Sequence, residues 1–92
     1  MTIYQTIITK KILERIESES DVTWNSGCRP TMYYNEEDTY LNISDELYSP
    51  IGSNFTDFSE MSLWSGDRYN DRTLCTEEEF IEHCKRLKPK SK

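Results

Sequence analysis

The sequence predicts one small α+β domain: an N-terminal helix, a small antiparallel sheet of three to four strands, and a C-terminal helix. Three observations predict it. The chain has 92 residues, enough for a single modest core and too few for two domains. Apolar residues recur at three- and four-residue steps at both ends, the period of a helix buried on one side. Between those ends lie short runs rich in β-branched and aromatic residues, separated by turn-forming clusters.

The first element is expected to be helical. Ile3, Ile7, Ile8, Ile12, Leu13 and Ile16 fall at helical spacing, with Lys10, Lys11, Glu14 and Glu17 mainly opposite. Thr2, Thr6 and Thr9 weaken its propensity, so packing must support it. The pattern ends in Ser18-Glu19-Ser20-Asp21. Val22-Thr23-Trp24 then reads as a short strand, closed by Asn25-Ser26-Gly27. Thr31–Tyr34 and Thr39–Ile43 are expected to form a hairpin across the turn Asn35-Glu36-Glu37-Asp38. Alternation puts Tyr40 and Asn42 on one face, Leu41 and Ile43 on the other.

Ser44-Asp45-Glu46-Leu47 reads as a short helical turn stopped by Pro50, and 49–54 as loop. Phe55–Phe58 and Met61–Trp64 are further strand candidates, and Ser65-Gly66-Asp67 a turn. The last helix carries the fullest set of signals. Thr76 with Glu79 three residues on forms a capping box. Glu77 and Glu78 favour the positive end of the helix dipole. Phe80, Ile81, Cys84 and Leu87 make the apolar stripe, and Pro89 follows bases in the last turn. The single domain thus spans 1–92, with 89–92 expected to be a frayed basic tail.

Composition excludes several classes. Apolar residues are 35% of the chain, and its mean hydropathy is -0.81. Eleven aromatic residues nevertheless supply large buried areas, which argues against disorder. No run approaches the length of a membrane-crossing helix. The first residues lack the charged-then-apolar order of a secretory leader, so a reduced intracellular chain is expected. Three cysteines do not close into a disulfide framework. Asn42-Ile-Ser44 and Asn54-Phe-Thr56 match a glycosylation pattern that has no meaning without secretion.

Catalytic equipment is sparse. One histidine, His83, gives no metalloprotease spacing. Cys28, Cys75, His83 and Cys84 are ligand types for zinc, but no close cysteine pair exists, and His83 and Cys84 point about 100° apart on a helix. Paired carboxylates in predicted turns are ordinarily just solvated. Phosphate-binding, nucleophile-elbow, dinucleotide and calcium-loop patterns are missing. The reading is a non-enzyme without cofactor or metal.

Charge is the feature with functional content. The net charge is -6, but it is unevenly spread. Residues 1–16 sum to +2, residues 17–82 to -13 and residues 83–92 to +5. Pro30–Asp67 contains no Lys or Arg. It carries Glu36, Glu37, Asp38, Asp45, Glu46, Asp57, Glu60 and Asp67, the candidate partner-binding residues. An acidic stretch is usually a solvated face. Its functional reading is competition for a DNA-binding protein, whose Lys/Arg groove is spaced for a duplex with about one charge per 1.7 Å. Carboxylates there would accept arginine pairs as phosphates do. The basic end matches dipole compensation, and the acidic middle repels a duplex, so direct nucleic-acid binding is not expected.

The length, the acidity, the three scattered cysteines, the opening Met1-Thr2-Ile3-Tyr4 and the close Lys88-Pro89-Lys90 resemble the Arn family of T-even bacteriophage anti-restriction proteins. The resemblance runs along the whole chain without a diagnostic motif, so it assigns no residue a role. It implies a DNA mimic that shields phage DNA from the host McrBC restriction endonuclease in the cytoplasm of the infected bacterium. It also implies an association with the nucleoid protein H-NS. A homodimer is expected, since it would double the acidic middle and help a chain poor in core residues. The basic end must then point away from the partner or pair with acids, for instance across a dimer interface. The alternative is a phage adaptor that binds a host regulatory or nucleoid protein through an aromatic patch of Tyr33, Tyr34, Tyr40, Tyr48 and Trp64.

Overall fold

A computed structural model describes residues 3–24, 27–36, 38–44, 61–65 and 72–91. Within them the chain is α+β, with two helices and a four-stranded sheet. It begins with strand β1 (Ile3–Ile7), followed by helix α1 (Lys10–Glu19). Three strands come next, β2 (Thr39–Ser44), β3 (Ser62–Ser65) and β4 (Arg72–Leu74), and the last element is helix α2 (Glu77–Leu87). The sheet order is β3-β2-β1-β4. β1 is antiparallel to β2, and β2 to β3, whereas β1 and β4 run parallel. The sheet is therefore mixed rather than wholly antiparallel.

The N-terminal helix is shorter than its spacing predicted, because Ile3–Ile7 is a strand. A step of four is also an even number, so Ile3 and Ile7 share a strand face as readily as a helix face. Three of the five residues of β1 are β-branched and one is Tyr, which suits a pleated surface. Alternation continues past β1: Tyr4, Thr6 and Ile8 point toward the helices, and Ile8 is buried. Thr9 then caps α1, its hydroxyl accepting from the Ile12 amide at 3.1 Å. Ile12, Leu13 and Ile16 form the buried stripe of α1.

The expected hairpin partner of Thr39–Ile43 does not form. Residues 29–36 use their backbone groups locally: Thr31 donates to Arg29, Tyr33 to Pro30 and Glu36 to Tyr33. β2 instead has both edges filled, by β1 and by β3. Val22–Trp24 is not a strand; it makes one parallel bridge, Trp24 to Met61. Gly27, at φ +76°, turns the chain after it. The short turn expected at 44–47 and the strand candidate Phe55–Phe58 lie outside the described residues, apart from Ser44, which ends β2.

The two helices run parallel. Lys11 and Arg15, early in α1, reach Glu77 and Glu78 at the start of α2, while Glu19 and Lys85 meet near the other ends. Beyond them the chain is joined again, Ser20 bridging Pro89 and Asp21 donating to the Lys88 carbonyl at 2.8 Å. Leu41 and Ile43 of the sheet share one core with Ile8, Ile12, Leu13, Ile16, Val22, Met61, Phe80, Ile81 and Cys84. On the opposite sheet face the cross-strand pair Gln5 and Asn42 is buried, and the Gln5 amide donates to Asn42 Oδ1 at 3.2 Å. That bond satisfies groups that burial would otherwise penalise.

Candidate partner-binding face

Many charged groups of the helical layer pair with one another. Arg15 is the hub: its Nε lies 2.7 Å from Glu19, and its Nη1 lies 2.6 Å from Glu78 and 3.2 Å from Glu77. Donating to the carboxylates of Glu19, Glu78 and Glu77 holds the guanidinium firmly protonated, and the bond to Glu19 lowers that carboxyl below its ordinary range. Arg29 pairs with Glu17 at 2.6 Å, and Lys85 with Glu82 at 3.3 Å. Glu79 is held down chiefly by the Thr76 amide, to which it returns the capping-box bond.

Lys90 of the basic end is paired in the same way. Lys90 lies 3.5 Å from Asp21 and donates to the Glu17 carbonyl at 3.0 Å. The Ser91 amide donates to Asp21 Oδ2 at 2.9 Å. Contacts from Ser91, then Lys90, lower the Asp21 carboxyl. Through Ser91, then, the segment expected to fray is tied to the end of α1, and its Lys90 meets Asp21.

Of the candidate residues, Glu36 and Asp38 are described and exposed. Glu37, Asp45, Glu46, Asp57, Glu60 and Asp67 lie outside the described residues. Glu36 and Asp38 flank the entry to β2, and Asp38 sits at φ 61°, a left-handed conformation that Asp tolerates better than most residues. Neither carboxylate has an ion-pair partner among the described residues. Both line a cleft of about 420 Å³, together with Ile7, Thr9, Tyr34 and Tyr40.

That cleft was only partly legible in the sequence. Glu36 and Asp38 stood out by charge, and Tyr34 and Tyr40 as members of an aromatic patch. Ile7 did not, because it was expected on a helix stripe; in the strand it is 57% exposed. The aromatic patch is partly taken up by the fold, since Tyr33 and Tyr34 pack against the core. Tyr48 and the Trp64 side chain lie outside the described residues.

The potential zinc ligands are placed apart in role. Cys84 is in the core, where burial pushes its thiol up to about 12. Cys75 is half-buried and Cys28 exposed, and all three are free. His83 stacks on Tyr4, with ring centroids 3.5 Å apart, and its Nδ1 lies 2.8 Å from Arg86. No group of three or more His, Cys, Asp or Glu among the described residues is placed to hold a metal ion. Among those residues, no helix is long and apolar enough to cross a membrane. The chain matches no family model, no curated protein and no solved structure.

Proposed function

We propose that this chain is a non-enzymatic acidic inhibitor that occupies the DNA-binding surface of a host protein. The resemblance to the Arn family names the McrBC restriction endonuclease as the target and the infected bacterial cytoplasm as the setting. The observation that carries the reading is a partition of charge. Glu17, Glu19, Asp21, Glu77, Glu78 and Glu82 are paired with the chain's own bases, though Glu14 and Glu79 are not, whereas Glu36 and Asp38 face solvent without an ion-pair partner among the described residues. They belong to a 38-residue stretch without any Lys or Arg, which leaves its field uncompensated locally. Asp38 leads directly into β2, an interior strand of the sheet.

The deciding experiment is a pull-down from bacterial lysate on the immobilised protein, eluted first with duplex DNA and then with salt. Release of a restriction or nucleoid protein by DNA is the expected result. Bound proteins that ignore both DNA and salt would return the acidic stretch to plain solvation and favour an adaptor. Glu36→Lys with Asp38→Asn, a pair that leaves the left-handed position acceptable, is expected to weaken target binding roughly tenfold. It should also flatten the salt dependence, as checked by binding isotherms at several ionic strengths. Unchanged isotherms with an intact fold would remove this turn from the interface.

A further inference from the structure

We propose that the cleft between the start of α1 and the turn into β2 receives an arginine side chain of a partner protein. The proposal deepens the reading above and rests on it only for the source of the arginine, a basic DNA-binding groove. The cleft combines three features that select a guanidinium. Its walls include Tyr34 and Tyr40, and a planar cation is attracted to aromatic rings. Ile7, more than half exposed, gives apolar surface for the aliphatic stem of the guest. Glu36 and Asp38 line it as carboxylates without a cation among the described residues.

Other guests fit less well. An anion meets two carboxylates, and a wholly apolar group would strip water from them without offering a hydrogen bond. Lysine supplies charge, but its compact, strongly hydrated ammonium neither forks between two carboxylates nor stacks as a plane. The chain's own arginines in the described helices and loop are already engaged: Arg15 with Glu19, Glu77 and Glu78, Arg29 with Glu17, and Arg86 with His83.

The test is an amide-resolved NMR titration of the full chain with a hexa-arginine peptide at low salt, with hexa-lysine run in parallel. Shifts should gather at Ile7, Thr9, Tyr34, Glu36, Asp38 and Tyr40, and hexa-arginine should bind at least about threefold tighter than hexa-lysine. Tyr34→Leu leaves the charge untouched and should weaken hexa-arginine about three- to fivefold. Shifts spread over the acidic surface, or an unchanged Tyr34→Leu affinity, would mean attraction to bulk charge and overturn the proposal. Should Tyr34→Leu fail to fold, Glu36→Gln with Asp38→Asn decides, and unaltered peptide affinity overturns it. The two readings separate cleanly. Localised peptide binding without any DNA-released partner would sink the inhibitor reading alone. A DNA-released partner held at full strength by Tyr34→Leu would sink the cleft alone.

Discussion

At the scale of single residues, burial and hydrogen bonding decide which groups are chemically available. The three cysteines make this measurable. Thiolate is the reactive form, and burial of Cys84 in the core both raises its pKa and blocks access. Cys75 is half-buried, and burial raises its thiol too, while Cys28 is exposed. A chromogenic disulfide reagent at about pH 8 should therefore label Cys28 fast, Cys75 slowly, and Cys84 only on unfolding. Rapid labelling of all three in native buffer would contradict this core. The same scale shows how far site residues can be read from a sequence. Charge marks Glu36 and Asp38 at once, but their having no ion-pair partner among the described residues, while Glu17, Glu19 and Asp21 have theirs, depends on contacts between distant segments. Ile7 shows the opposite failure: an apolar residue is assumed inside until the strand face it occupies is known.

At the scale of elements, local signals worked where several agreed. α2 has a capping box, acids in its first turn, bases in its last and a single apolar stripe, and it runs over Glu77–Leu87 accordingly. α1 has no acids in its first turn and no bases in its last, so Thr9 and the Ile12, Leu13, Ile16 stripe hold it. Thr9→Ala removes the bond to the Ile12 amide and should cost about 1 kcal/mol. For a domain of this size that is a fall of roughly 4–8 °C in Tm, readable in a thermal melt by circular dichroism; a Thr9→Ser control should keep most of the stability. Strands were harder to read. β4 has three residues, too few to show a period, and it forms because β1 offers it a parallel edge. The stretch 31–34 carries two tyrosines and a threonine, yet turns, because β2 already has two partners. Strand pairing is a property of the sheet, and short propensities cannot report it.

At the scale of the whole molecule, the parallel helices and the basic end form one electrostatic assembly, and it makes stability depend on acid. Glu19, Asp21 and Glu79 all have carboxyl groups lowered by contacts that exist only when the chain is folded. A carboxyl with a lower folded than unfolded pKa stabilises above its unfolded value, near 4, and loses that contribution as pH falls through the folded value. Arg15 moves in the other direction, its pKa raised by three carboxylates, so it remains charged throughout this window and its benefit vanishes only when those acids protonate. Melting temperature should therefore stay nearly level from about pH 8 to 5 and fall below about pH 4. Asp21→Asn isolates one link. Asparagine still accepts from the Ser91 amide but no longer attracts Lys90. The variant should melt below the wild type at pH 7, and the two curves should converge as pH falls through the lowered folded value of the wild-type carboxyl, below which it is itself protonated. A deficit of equal size at both ends of the pH range would mean that Asp21 acts through its shape and bonding, and that its attraction to Lys90 contributes nothing to holding the C-terminal segment against α1. Convergence would show that the charge of Lys90 is spent on Asp21 inside the fold.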